Sequence, residues 1–426
     1  MNRKLKSAAG NQNAEPALTP KLRFPEFRDA PGWVAISLED ASVPVVERVG
    51  TRKLTPVSIS AGIGFVPQSE KFGRDISGNQ YQLYTLVRDG DFVFNKGNSL
   101  KFPQGCVYLL QGWVEVAAPN VFICFRLRKG YSNAFFQNCF EKNTHGIQLK
   151  RHITSGARSN GLLNISKETF FGVEIPTPSF AEQQKIAECL TTLDEVIAAQ
   201  SQKIAALKTH KKGLMQQLFP REGETLPRLR FPEFQDAPAW KSKKAGELFA
   251  HRVESGEAEL PIYSVTMNDG MVKRSSLDRH VDDIADPGAN KKALKDDIAY
   301  NMMRMWQGAF GVAAEDCMVS PAYVVLAPCK GVYSGFFKYL LKLPSSLRLL
   351  TANSQGLTKD RLRLYYKDFA TIPLPHPSFA EQQRIATCLT SLDDLITAHS
   401  AKLSSLKTHK KGLMQQLFPS PDEVEA

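Results

Sequence analysis

The stretch SFAEQQKIAECLTTLDEVIAAQSQKIAALKTHKKGLMQQLFP, Ser179 to Pro220, returns as SFAEQQRIATCLTSLDDLITAHSAKLSSLKTHKKGLMQQLFP, Ser378 to Pro419. Roughly three quarters of the positions are identical, and an internal repeat this close sets the architecture before any other feature. Each copy reads as one long helix. Ser179 and Ser378 are N-cap residues, and Glu182 and Glu381 complete the pattern of a capping box. Pro178 and Pro377 stop the structure that precedes each cap. Apolar residues then recur at spacings of three and four: Ile186, Leu190, Leu193, Ile197, Ile204, Leu207, Leu214 and Leu218, then Ile385, Leu389, Leu392, Ile396, Leu403, Leu406, Leu413 and Leu417. This is a heptad seam, and it predicts a coiled coil. Gln200, His399, Lys211 and Lys410 interrupt the seam, and such polar residues fix register at a cost in stability. About 40 residues at a rise of 1.5 Å give a rod of about 60 Å. The matched interruptions argue for two rods that pair with each other. A large segment separates them, so an antiparallel pair within one chain is expected, with a domain at each end.

Outward from the rods, a second element is also doubled. KLRFPEFRDAPGW, Lys21 to Trp33, returns as RLRFPEFQDAPAW, Arg228 to Trp240. The repeating unit is therefore lead-in, globular segment, rod. Phe24, Phe27 and Trp33 are costly to leave in water, so the lead-in is expected to dock as an extended segment on an apolar surface. The globular segments, 34–178 and 241–377, differ strongly but keep common landmarks. GDFVFNKGNS (Gly90 to Ser99) parallels DDIAYNMMRM (Asp296 to Met305), which aligns Asp91 and Asn95 with Asp297 and Asn301. GYSNAFF (Gly130 to Phe136) parallels GVYSGFF (Gly331 to Phe337), and both segments close in a proline-ended strand. Short strands with Gly-rich turns, a helix rich in Phe and Leu, and a last strand predict two divergent copies of one α/β (α+β) domain. The expected division is a disordered tail at 1–20, a first domain with its lead-in at 21–178 and a first helix at 179–220. A second domain with its lead-in follows at 221–377, then a second helix at 378–419 and a tail at 420–426.

The formal charge of +11 and pI near 9.2 point to a polyanionic partner. Seven cysteines without a CxxC pair read as free thiols of a reducing compartment and support no zinc site. No apolar run reaches membrane-spanning length and the first residues lack a signal-peptide core, so a cytoplasmic protein is expected.

A search for catalytic motifs returns little. There is no G-x-G-x-x-G, no G-x-x-x-x-G-K-[ST] and no H-E-x-x-H. The [ND]-P-P-[FYW] segment with which DNA amino-methyltransferases hold a target base is also missing. His210 and His409 read as solvated helix-face residues. Binding chemistry is richer. Asn95, Lys96, Asn98, Ser99 and Lys101 surround a glycine turn and offer donors to phosphates and base edges; Asn301, Arg304 and Gln307 occupy the matching loop. Arg suits guanine, and Asn or Gln suits adenine. A second group is Lys150, Arg151, Arg158 and Asn160, with Lys359, Arg361 and Arg363 in the other domain; a third is Asn268, Lys273 and Arg274 in a turn. Trp306 could pack in the core or wedge at DNA, and the core is expected. From residues alone, three readings stay open: a non-enzymatic DNA reader, a DNA-modifying enzyme in its own right, and a coiled-coil adaptor for proteins.

The proline-ended strands running into SFAEQQKIA and SFAEQQRIA, the two long helices, the doubled RFPEF lead-ins and the two dissimilar globular segments resemble the DNA-specificity subunits of type I restriction–modification systems. The resemblance covers nearly the whole chain. It implies two target recognition domains, each reading one half of a bipartite, asymmetric site in double-stranded DNA. It implies helices that separate these domains and dock two methyltransferase (modification) subunits, with restriction/translocase subunits joining them. S-adenosylmethionine, ATP and Mg would then belong to the partners, and this chain would be non-catalytic and need no cofactor. The implied setting is the bacterial or archaeal cytoplasm, close to the nucleoid.

Overall fold

The computed structural model describes residues 18–97, 102–153, 162–277, 287–358 and 361–419. Of the expected tails, 1–17 and 420–426 lie outside these residues; 18–20 are ordered, because Leu18 forms a bridge with Trp33 and Pro20 is buried. The chain divides into two units, residues 1–200 with 402–426, and residues 201–401.

Each unit is built on the same antiparallel four-stranded sheet. In the first unit its order is Ser42–Pro44, Ile123–Leu127, Phe92–Asn95 and Cys106–Leu109. In the second it is Phe249–Arg252, Tyr323–Pro328, Ile298–Asn301 and Phe310–Val312. A second sheet of the latter unit runs Met271–Lys273, Ile262–Val265, Cys317–Val319, Lys291–Ala293, with a parallel pair at its centre. The first unit repeats that order in two pieces. The hairpin of Val57–Ser60 with Gly64–Pro67 and the pair of Thr85–Arg88 with Glu115–Ala118 meet through one parallel bridge, Pro56 with Ala117. Each globular segment is zipped shut where it enters and leaves, Val34–Ser37 on Glu174–Thr177 and Lys241–Lys244 on Pro373–His376.

The buried aspartates explain one landmark. Asp91 is fully buried and holds Arg126 through two bonds of 2.6 and 3.0 Å; Asp297 holds Arg252 at 2.6 Å. Both also accept the backbone N–H three residues before them, closing the turn that starts the central strand. The arginine comes from different strands in the two units. A buried carboxylate must be paired, and each unit has found its own partner.

The predicted rods are Phe180–Leu218 and Phe379–Leu417, of 39 residues each. In both, the heptad positions are buried or half-buried, including the polar ones, while nearly all positions between Leu193 and Lys211, and between Leu392 and Lys410, that lie off the seam are exposed. Within each unit the start of one helix lies antiparallel to the end of the other. Lys410 bonds Asp194 at 2.7 Å in the first unit, and Lys211 bonds Asp393 at 2.5 Å in the second. The lysine interruptions are thus cross-helix ion pairs, which accounts for their tolerance in an apolar seam. Ile186 and Leu190 of the first helix and Leu417 and Phe418 of the second enter one Phe-rich core with Trp33, Phe92, Phe125, Phe135 and Phe136. Ile385, Leu389, Leu218 and Phe219 do the same around Trp240, Phe249, Tyr300 and Phe336. Each such side chain contributes about 1.5–3 kcal/mol on burial.

Two local expectations are corrected. The lead-in is not extended: Pro25–Phe27 and Pro232–Phe234 are 3-10 turns, because proline fixes the first turn position and the Phe27 and Phe234 N–H groups reach back to Phe24 and Phe231 at 2.9 Å. The capping boxes are half-formed. Ser179 Oγ accepts the Glu182 N–H, and Ser378 Oγ that of Glu381. The glutamate carboxylates turn away instead. Glu182 takes both prongs of Arg23 at 2.8 and 2.7 Å, and Glu381 those of Arg230 at 2.7 and 2.8 Å. A bidentate, charge-assisted pair outcompetes a single return bond to a backbone N–H. The same arginines also donate to Ala30 and Pro31, or to Ala237 and Pro238, so each lead-in is clamped to the first turn of a helix. The next residue, Gln183 or Gln382, accepts the N–H of Ser132 or Tyr333 at 2.9 Å and pins the domain there.

Candidate nucleic-acid interface

The aligned asparagines end the central strands and do one job in both units. Asn95 Oδ1 accepts the Gly97 N–H at 2.8 Å, and Asn301 Oδ1 accepts that of Met303 at 3.0 Å. Each closes a turn in which the side chain mimics a backbone carbonyl. Asn95 also donates to the Ile59 carbonyl at 2.7 Å. These residues shape the loops from which others would reach DNA.

One backbone bond then ties each loop to a distant segment. Leu163 donates to the Lys96 carbonyl at 2.8 Å, beside a bridge between Gly97 and Leu162; Leu364 donates to the Met302 carbonyl at 2.9 Å. In the second unit this brings the Asn301 loop beside Arg361 and Arg363, both exposed, the latter fixed by paired bonds to Gln355. Two groups separated by about sixty positions in sequence therefore share one surface. In the first unit Lys96 is half-buried in the loop, while Lys150 and Arg151 lie exposed on the turn Lys150–His152. Asn98, Ser99, Lys101, Arg158, Asn160 and Lys359 lie outside the described residues.

The third group joins the second unit's surface from its other sheet. A Cβ on Gly270 would touch the Gly311 Cα at 3.4 Å, so the hairpin turn carrying exposed Asn268 lies against the strand that follows the Asn301 loop. Lys273 is paired with Glu315 at 2.9 Å, and the Tyr263 hydroxyl donates to the same carboxylate at 2.7 Å. The Tyr263 hydroxyl and then Lys273 hold Glu315 below the usual carboxylate range. Arg274 is half-buried in the turn Arg274–Ser276.

Within the Asn301 loop the roles divide. Arg304 is exposed, and its backbone carbonyl receives the N–H groups of Gln307 and Ala309, which holds the turn Met305–Gln307. Its guanidinium is unengaged among the described residues. The Gln307 Oε1 is buried without a partner, so Gln307 does not offer an outward amide pair to adenine. Trp306 is not in the core: it is half-buried, and its indole N–H donates to the Met303 carbonyl at 3.0 Å. Its neighbour Met303 is 46% exposed. The expectation of burial failed because the ring sits on the turn Met305–Gln307, outside the core clusters, with its N–H bonded back to Met303. Among the described residues no three His, Cys, Asp or Glu side chains gather as a metal site, and no helix is long and apolar enough to cross a membrane.

Comparison with known proteins agrees with this architecture. Residues 78–209 match the family described as the type I restriction modification DNA specificity domain. The chain is 23% identical over 300 residues to the type I restriction enzyme MjaVIII specificity subunit of Methanocaldococcus jannaschii, covering 66% of this chain and 70% of that one. It is 22% identical over 361 residues to the putative MjaX specificity subunit of the same organism, covering 82% of each. The fold matches the solved S subunit of a type I restriction–modification system from M. genitalium, with a TM-score of 0.57, 16% identity, and 95% of this chain and 100% of that one covered. A second match, with a TM-score of 0.52 and 18% identity over 92% of this chain and 99% of the other, comes from a study of complex assembly and conformational transition in a type I system. The chain is thus similar, in sequence and in fold, to the DNA-specificity subunits of type I restriction–modification systems. Its fold is that of two similar mixed α/β domains joined by two long helices.

Proposed function

We propose that this chain is the sequence reader and scaffold of a type I restriction–modification complex, and that it does no chemistry itself. One observation carries the reading. Two domains with the same sheet, the same asparagine-closed loop and the same backbone tie to a second segment present different side chains at that loop. A shared frame with divergent tips suits two readers of two different half-sites in duplex DNA. The exposed Arg304, Arg361 and Arg363 supply phosphate and base-edge contacts, and the net charge of +11 supplies the general attraction. The near-identical helices suit a partner that binds twice, and two modification subunits fit that need. Those subunits bring S-adenosylmethionine, and restriction/translocase subunits bring ATP with Mg; this chain requires no cofactor of its own. The place of action is the cytoplasm, at the DNA.

The test is to express the full chain with its modification subunits and map methylated positions across the host genome. One bipartite, asymmetric motif that disappears when the chain is deleted is the expected result. Methylation that persists without the chain, or a continuous motif, refutes the reading.

A further inference from the structure

Of the four tryptophans, Trp33 and Trp240 are buried in the two large cores, and Trp113 packs on a smaller cluster. Trp306 belongs to no core cluster. It sits beside exposed Met303, on a loop flanked by exposed Arg304, Arg361 and Arg363. Among the described residues, no core cluster takes in this apolar pair in its basic setting. The ring has also lost its one polar handle, because its N–H is bonded to Met303. It can meet a partner only through carbon. Duplex DNA offers the major groove one apolar group of that size, the C5-methyl of thymine. A wedge between base pairs needs a side chain that projects. Trp306 instead folds back over Met303, on a turn held by the Gln307, Gly308 and Ala309 N–H groups, and so presents a flush face.

We propose that Trp306 and Met303 form an apolar patch that receives the C5-methyl of a thymine in the half-site read by the second domain, next to the base met by Arg304. This rests on the functional reading above and adds the chemistry of one base in the site. The experiment uses the complete complex and its mapped motif. Each thymine of the half-site that changes when residues 241–377 are exchanged is replaced in turn by deoxyuridine, which removes only the methyl group. Competition binding with the native complex should show a loss of about three- to fivefold at one position, the worth of one buried methyl-sized group. The complex carrying Trp306→Ala should show no loss at that position. The proposal is overturned if no uracil position weakens native binding, if that half-site contains no thymine, or if Trp306→Ala keeps the same discrimination. It is also overturned if Trp306→Ala weakens all duplexes alike, the mark of a wedge. The uracil series on the native complex needs no variant to fold. Failure to find any bipartite motif would instead count against the functional reading itself.

Discussion

Arg304 and His145 show how differently two residues of similar polarity can be placed. Arg304 stands exposed at the tip of the second domain's loop, with its backbone pinned by three bonds to neighbouring residues. If its fork is bidentate to guanine, Arg304→Ala should cost about 1–3 kcal/mol and relax a single position of the motif. A loss equal on all sequences would mark a phosphate contact instead, and binding on a panel of single-base variants separates the two. His145 is fully enclosed between Phe94 and Phe140, and neither ring nitrogen has a partner. Burial pushes it down to about 4. The folded value lies below the unfolded one, so the contribution is intact above about pH 6.5 and drains as pH falls toward 4, by about 3 kcal/mol. Urea unfolding of the first unit across that range should show this loss, and His145→Leu should flatten it. Sequence reading placed Arg304 in an exposed loop because a charged side chain after a strand needs no partner in the core. It misplaced Trp306 because the bond that holds the indole outside depends on a backbone path that no spacing reveals.

At the scale of elements, the heptads were the most legible feature. Their period reports a buried stripe directly, and both helices end within two residues of where the repeat ends. The clamp between lead-in and helix was not legible in its first copy alone, since Arg23 and Glu182 are far apart in sequence. A signal existed all the same. The arginine of RFPEF and the glutamate of SFAEQ are kept in both copies, and Arg230 with Glu381 repeats the pair. Glu182 and Arg23 have side chains only 1% and 7% exposed. Glu182→Ala would strand a buried guanidinium and should cost the first unit about 3–5 kcal/mol, while Arg23→Met with Glu182→Leu should recover most of that. Chemical denaturation of the three proteins decides it; equal stability of the double and single variants would mean that the charge pair is not what holds the lead-in.

For the whole molecule, the repeat implies that each globular domain is a replaceable part. Both globular segments are zipped by a short strand pair at entry and exit, and each offers one backbone N–H, of Ser132 or Tyr333, to the matching helix residue, Gln183 or Gln382. Replacing residues 34–178 by the segment of another family member should therefore change one half of the methylated motif and leave the other. Methylation mapping before and after reads this directly, and a change in both halves would end the modular account. The twofold plan was visible in the sequence because duplication leaves a repeat. The matched sheets were less so, since the two segments share strand order and not residues, as the differently sourced arginines for Asp91 and Asp297 illustrate.

The lead-in has one more neighbour. Leu22 donates its N–H to the carbonyl of Gln416, and Phe418 stacks on Phe135 with ring centroids 5.4 Å apart. Lys142 reaches the Pro419 carbonyl at 2.7 Å. The first unit is therefore finished by residues that are made after the whole of the second unit. The second unit closes earlier, with Leu229 bonded to Gln217, and has all of its parts once residue 401 is made. The domain made first must wait, with Trp33 and Phe135 uncovered, until residues 416–419 arrive. A chain stopped after residue 401 should thus expose the early domain to protease while the later one resists. Limited digestion followed by mass mapping of the fragments would show cuts concentrated within 34–178; cuts concentrated within 241–377 would mean that the early domain is self-sufficient.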